Sequence, residues 1–413
     1  MPQYVASIDR GSQSLIPLSE ARARILAAAK LLPAEQVPIT QGLGRVLAAD
    51  VVARVTHPPT AVSAMDGWAL RTADIASLPA TLTRIGEAPA GRPFAGTVGP
   101  GQAVRIFTGG AMPAGADTVV VQEDADDHGA TVTLRDGGGP GRWVRPAGQD
   151  FATGDVGVPA GRRLTVRDLA LAASMNVPWL RVRRRPRVSI LATGDEVVMP
   201  GDTLAPGQIV SSNSLALAAL VRQLGGEPVD LGIAGDSADS LSTLVSAASG
   251  TDLLVTIGGA SVGEHDLVRS VLGAAGLQLD FWKIAMRPGK PLMFGQMHGV
   301  PMMGLPGNPV SALVCAWLFL RPLLLAMQGL PSDDDLRDAV LARDMGANDS
   351  RADFIRAKLS TDGQGRLVAE PFPKQDSGML SRLAWADCLI LRAPHAPPAR
   401  AGEAVRVMPL DAL

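Results

Sequence analysis

Acidic residues recur in this chain where apolar runs end. Asp195 and Glu196 follow the run 188–192, Asp236 follows 229–233, and Glu264 and Asp266 follow the run 253–257 and the pair Gly258-Gly259. Three cations, Lys283, Arg287 and Lys290, stand at the end of another run, and Pro306-Gly307-Asn308-Pro309 closes the run 302–305. A hard divalent cation such as Mg2+ takes a few carboxylates and completes its shell with substrate phosphates. Guanidinium and ammonium groups neutralise phosphate oxygens. Gly258, Gly259 and Gly263 allow close backbone approach, and a helix starting near Asp266 would aim N–H groups at an anion. Together these types point to metal-assisted chemistry on a phosphorylated ligand. The plainer reading stands beside it: Asp and Gly are ordinary turn residues, Asp236-Ser237 caps a helix, and Lys283 is a solvated strand lysine.

The elements that must position these residues alternate. From Arg187 the pattern is strand 188–192, helix 213–224, strand 229–233, helix 239–248, strand 253–257, helix 266–272, an extended stretch 279–284, two short strands, and a helix after Pro309. Such alternation predicts a three-layer α/β domain with a mostly parallel sheet, whose strand-end loops gather at one ligand-binding edge. Before it, a helix over 20–32 with Ser19 as N-cap stops at Pro33, and short runs at 81–85, 103–107, 118–121 and 131–134 predict a small β domain. A second helix is expected over 166–175. Residues 181–187 form a basic connector, better explained as a linker than as a nucleic-acid patch. After Pro331 the chain returns to short strands at 339–342, 354–359, 367–369, 388–391 and 405–407, which predict a C-terminal β barrel or sandwich.

Composition narrows the function classes. The 413 residues suffice for two to four domains, and the net charge of −2 gives no bulk attraction to nucleic acid or an anionic membrane. Aromatic residues at 4% argue against a stacking surface for single-stranded nucleic acid. Two cysteines make no disulfide framework, and Cys315, in an apolar helical run, reads as a core residue. The run 309–327 approaches spanning length, but Arg321-Pro322 interrupts it, so a buried helix is expected. The N-terminal stretch lacks the apolar core of a signal peptide, so a cytoplasmic location is expected. No zinc spacing, phosphate-binding loop of the Gly-x-x-x-x-Gly-Lys type or Gly-x-Ser-x-Gly elbow occurs.

Six motifs carry a family resemblance: SAMDGWAL (63–70), TGGAMPAGADTVV (108–120), ATGDEV (192–197), GGASVGEHD (258–266), KIAMRPGKP (283–291) and GLPGNPVSA (304–312). In this order, over nearly the whole chain, they resemble the MoeA family of molybdopterin molybdenumtransferases, bacterial relatives of the gephyrin E domain. The resemblance implies Mg2+-dependent insertion of molybdate into adenylylated molybdopterin with release of AMP. It implies four domains: a linker and dimerisation domain from 15–54 and 146–182, an inserted β domain over 55–145, an α/β molybdopterin-binding domain over 183–330, and a C-terminal β barrel over 331–413. It also implies a homodimer whose cleft lies between the α/β domain of one subunit and the inserted domain of the other. Molybdopterin adenylyltransferase and cofactor-receiving proteins are the further partners it suggests.

Carried over position by position, the resemblance assigns catalytic roles to Asp66, Thr108, Asp150, Glu196, Asp236, Asp266, Lys283 and Arg287. Substrate contacts fall to Gly258, Gly259, Ser261, Gly263, Glu264, Lys290, Pro306, Asn308, Pro309, Arg351 and Ser377. Glu196, Asp236, Glu264 and Asp266 form the candidate Mg2+ set. The family's Gly-Glu-Asp reads Gly148-Gln149-Asp150 here, and Thr60-Ala61-Val62 replaces a Phe-Asp stretch. Two other activities are weighed against this one: adenylylation of molybdopterin, and a non-catalytic scaffold that binds the pterin and hands it on.

Overall fold

Runs of Val, Ile and Leu too apolar to face water on either side set the architecture. The structure, a computed structural model, describes residues 15–235, 237, 239–240, 243, 245, 247–248, 250–258, 272–274 and 276–410. The chain forms two compact units. One is Glu35–Val182; the other joins the N-terminal segment ending at Ala34 to Arg183–Leu413.

The Glu35–Val182 unit is built on six strands: β1 (Gly67–Leu70), β2 (Ala80–Ala88), β3 (Gln102–Ile106), β4 (Thr118–Val121), β5 (Ala125–Asp127) and β6 (Thr131–Leu134). They lie in the order β4-β1-β3-β2-β6-β5, antiparallel except for the β2–β3 pair. Alternate side chains point to opposite faces. Trp68, Leu70, Ala103 and Val120 therefore pack in one apolar cluster, and Ala69, Val104 and Val119 in another. A third cluster, with Leu47, Val51, Phe151, Leu164 and Val182, draws on chain before and after the sheet. Its helix, Val166–Ser174, begins at a capping box in which Thr165 and Asp168 each take the other's backbone N–H.

In the other unit, β7 (Arg187–Thr193), β8 (Glu227–Ala234), β9 (Leu253–Ile257), β10 (Leu277–Trp282), β11 (Met293–Met297) and β12 (Val300–Leu305) form a sheet in the order β8-β7-β9-β12-β11-β10. Strands β8, β7, β9 and β12 are parallel, so the mostly parallel sheet is as expected. Every residue of β9 is buried, as a strand covered on both faces requires. The antiparallel edge was not evident from strand spacing. It comes from His298-Gly299, both at positive φ, a two-residue hairpin turn of the kind that matches strand twist.

The C-terminal strands β13 (Arg337–Leu341), β14 (Ala352–Thr361), β15 (Leu367–Pro371), β16 (Cys388–Arg392) and β17 (Ala404–Pro409) run β14-β15-β13-β17-β16, and a β14–β16 pairing closes the ring. Closure leaves no edge strand exposed, and a barrel is what the short strands predict.

Pro309–Met327 is long and apolar enough to cross a membrane, yet 78% of its apolar window is buried inside the fold. Val310, Phe319 and Leu323 pack with Val255, Met303 and Leu305 of the sheet. Cys315 is buried there too, and burial pushes its thiol up; burial likewise pushes the Cys388 thiol up, to about 12. The N-terminal helix differs from expectation. It spans Leu18–Ala27 with Pro17 as N-cap and ends well short of Pro33. Its last turns are pulled away because Leu32 is buried and donates its N–H to the Met327 carbonyl at 2.9 Å. Ala21 and Ile25 of this helix belong to the core of the α/β unit. The basic connector also has a structural explanation: Arg184 makes a two-pronged ion pair with Asp252, at 2.9 and 2.7 Å.

Candidate active site

The C-terminal ends of β7, β9 and β12 open into a cavity of about 580 Å³. Its lining includes Glu196, Asn213, Gly258, Pro306, Asn308 and Pro309, the strand-end position where open α/β sheets take ligands. Two glycines shape it. At Gly258, φ is +92°, and a Cβ would lie 2.8 Å from the Thr193 hydroxyl and 2.9 Å from the Thr193 carbonyl. Thr193 Oγ1 donates to the Ile257 carbonyl at 3.1 Å and locks that junction. At Gly194, φ is +129°, and a Cβ would collide with the Glu196 carboxylate. Glycine there lets Glu196 fold back against the strand end. Across the cavity, Asn213 Nδ2 donates to the Gly307 carbonyl at 2.8 Å and ties the start of helix Asn213–Gln223 to the proline loop.

The sequence-predicted residues separate into groups. Glu196, Gly258, Pro306, Asn308 and Pro309 converge on this cavity. Lys290 adjoins Pro291, which also lines it, and is exposed. Ser377 is drawn in by its backbone: its carbonyl accepts the Val310 N–H at 3.2 Å, next to Pro309. Asp236, Gly259, Ser261, Gly263, Glu264 and Asp266 lie outside the described residues.

Lys283 and Arg287 are not in the lining. Lys283 has φ +81°, an uncommon backbone for a side chain of its size. Its Nζ lies 4.1 Å from the centroid of the Trp282 ring, a cation–π contact. Arg287 meets Asp353 at 2.5 Å and Asp349 at 3.4 Å, and lines a separate cavity of about 400 Å³ against the C-terminal barrel. Arg351 joins the same network through Asp349 at 2.8 Å. The side chain and N–H of Arg351, with Arg287 behind them, hold the Asp349 carboxyl down at about 2.

One arginine central to this region escaped sequence reasoning. Arg356 is only 1% exposed. It donates through Nε to Gln375 Oε1 at 3.1 Å and through Nη1 to the Asp376 carbonyl at 3.0 Å, so it fastens the loop that carries Ser377. Its place on an inward strand position, followed by Gln375 and Asp376 in a turn, is the only signal the sequence holds.

In the Glu35–Val182 unit, Asp66 accepts the Thr108 N–H at 2.6 Å and the Thr108 hydroxyl at 2.8 Å. Those two bonds, aided by Arg105, hold its carboxyl below the usual range. Asp150 is exposed, and its N–H donates to the His57 carbonyl at 3.1 Å. Gly109 N–H donates to the Ser63 carbonyl and Ser63 N–H to the Gly110 carbonyl, at 2.9 and 2.8 Å, so the 63–66 and 108–110 loops form one piece.

Among the described residues no three His, Cys, Asp or Glu side chains converge as a metal cage. The cavity instead offers the Glu196 carboxylate among hydroxyl and amide oxygens of Ser211, Ser212, Asn213 and Asn308. That hard-oxygen set fits Mg2+, which keeps waters and borrows substrate phosphates, and does not fit a metal that needs soft ligands.

With the fold and cavity established, comparison with known proteins is informative. Three family models cover the chain in order: the MoeA N-terminal region (domain I and II) over 16–176, a probable molybdopterin binding domain over 189–326, and the MoeA C-terminal region (domain IV) over 338–410. A molybdopterin molybdenumtransferase of Haemophilus influenzae is 33% identical over 97% of this chain and 100% of its own length. One from Nostoc sp. is 40% identical over 72% of this chain and 70% of its own length. The crystal structure of a molybdopterin biosynthesis MoeA protein from Pyrococcus horikosii superposes with a TM-score of 0.85, at 32% identity, covering 97% of this chain and all of that one. A multidomain α/β and β-barrel protein with a ligand cavity at its parallel strand ends is the class so defined. Within that class, the chain belongs to the MoeA family.

Proposed function

We propose that this chain inserts molybdate into adenylylated molybdopterin and releases AMP. The observation that carries the reading is the cavity at the ends of β7, β9 and β12, where Glu196, Gly258 and the 306–309 loop meet. The relatives named molybdopterin molybdenumtransferase, one of them matched over its whole length, support the reaction assigned to it. In this reading the Gly258 turn lets the substrate lie against backbone, and the proline loop, pinned by Asn213, gives the pocket a rigid wall. Lys290 brings positive charge to the rim, which reduces the repulsion between molybdate and the substrate phosphates. Lys283 and Arg287 stand outside this lining, and Ser377, on the loop fastened by Arg356, is tethered next to Pro309 through its backbone carbonyl.

Glu196, with Asp236, Glu264 and Asp266, would hold Mg2+. When bound, that ion supplies charge neutralisation at the pyrophosphate. The Asp66–Thr108 pair serves the cleft of a second copy of the chain in a homodimer. The location that suits such a biosynthetic step is the cytoplasm. Molybdopterin adenylyltransferase and cofactor-receiving proteins are the partners on either side of the reaction.

The test is molybdate-dependent release of AMP from adenylylated molybdopterin by the purified protein, with Mg2+ added or chelated. Release that needs both molybdate and Mg2+ supports the reading. Adenylylation of molybdopterin from ATP without molybdate dependence would replace it with the adenylyltransferase activity. Tight substrate binding with no turnover would leave a scaffold.

A further inference from the structure

Trp143 is the least expected side chain in the Glu35–Val182 unit. Its φ is +58°, in the left-handed region that Asn and Gly tolerate and a bulky side chain does not. Three backbone hydrogen bonds force it there. The Arg142 carbonyl accepts the Val119 N–H at 3.1 Å, the Trp143 carbonyl accepts the Ala64 N–H at 2.8 Å, and the Val144 N–H donates to the Gly141 carbonyl at 3.1 Å. Strain of this kind persists only where the surroundings over-determine it, and it clusters at functional positions.

Core packing does not repay the strain. Trp143 is 42% exposed, and among the described residues neither apolar cluster of the six-stranded sheet includes it, whereas Val144 packs against one of them. The position also has a neighbourhood. Val144 and Arg145 pair in antiparallel register with Ser63 and Val62, so Trp143 flanks the loop that leads to Asp66 and Thr108. A large flat ring, half-exposed on a rigid backbone beside a polar pair, is the arrangement that stacks a planar ligand.

We propose that Trp143 is the stacking surface for the planar, fused nitrogen heterocycle of the substrate, in the half of the site that carries Asp66 and Thr108. This rests on the function proposed above, whose substrate has two such rings, adenine and pterin. Trp143 is a binding residue for one or both.

The experiment titrates AMP and, separately, a 6-substituted pterin into the full-length protein by calorimetry, with ribose 5-phosphate as a ring-free control. Wild type, Trp143→Phe and Trp143→Asn are compared, Asn being a residue that accepts positive φ. Loss of stacking weakens binding by roughly 5- to 150-fold. Trp143→Asn is expected to lose that much for at least one ring probe, to bind ribose 5-phosphate as wild type does, and to keep or raise Tm. Trp143→Phe is expected to retain most of the affinity. The probe that weakens identifies the ring, and weakening of both supports a shared surface. Retention of both affinities within about twofold by Trp143→Asn overturns the stacking role and leaves the proposed function standing. Equal losses in the Phe and Asn variants, or a Tm drop in Trp143→Asn, also overturn it. Wild-type protein that binds neither AMP nor the pterin refutes the proposed function and the stacking surface with it.

Discussion

Glu196 is the described carboxylate that the α/β fold delivers to the cavity, and it owes its position to glycine at 194. Replacing it by Gln removes the charge and keeps the shape. Glu196→Gln is expected to slow AMP release about a hundredfold with an unchanged Tm, measured by product assay and thermal melt. Asp349 allows a pH test. Its carboxyl sits at about 2 when folded, below the ~3.9 of an unpaired aspartate. A group whose pKa is lower in the folded state stabilises that state above the unfolded value and loses the contribution as pH falls through the folded value. Wild type therefore loses this part of its stability between about pH 4 and pH 2. The Tm-versus-pH curve of Asp349→Asn is expected to be flatter across that window. At this scale the sequence shows residue types and spacing. Glu196 and Asn308 were legible because each sits at the end of an apolar run. Asp349 and Arg356 were not, since their importance comes from partners a turn or a strand away in a closed barrel.

The helix Val166–Ser174 is a case where local sequence and structure agree. Thr165 and Asp168 have the spacing of a capping box, and both halves of the box form. Asp168 is buried and also meets Arg162 at 3.0 Å. Thr165→Ala is expected to cost about 1 kcal/mol, read as a lower midpoint in urea. The buried strand β9 was equally plain, because four of its five successive residues are apolar and the pattern of a half-solvated strand is missing. Two features were hidden at this scale. The antiparallel edge depends on His298 accepting positive φ, which Asn or Gly would have advertised and His does not. The early end of the first helix depends on Leu32 reaching Met327, far away in sequence.

At the scale of the molecule, two units hold separate apolar clusters, one set within Glu35–Val182 and the other within the remainder. Compact units that share no apolar cluster fall outside the two-state rule of a single domain. Calorimetry is expected to show two transitions. Thr165→Ala should lower only the one belonging to Glu35–Val182, and Gly258→Ala, which drives a Cβ into Thr193, only the other. A single transition shifted by both variants would contradict this. The alternation of strands and helices made the α/β part legible, and short strands at regular spacing did so for the barrel. The division at Ala34 was not, because the first helix joins a core made almost wholly of residues beyond Arg183. The apolar helix Pro309–Met327 has one more consequence, for synthesis. All six strands of its sheet end by Leu305, so the ribosome delivers the helix only after the surface that receives it has been made. A segment that could be mistaken for a membrane span is thereby exposed for the shortest time, which protects the nascent chain from aggregation and mistargeting.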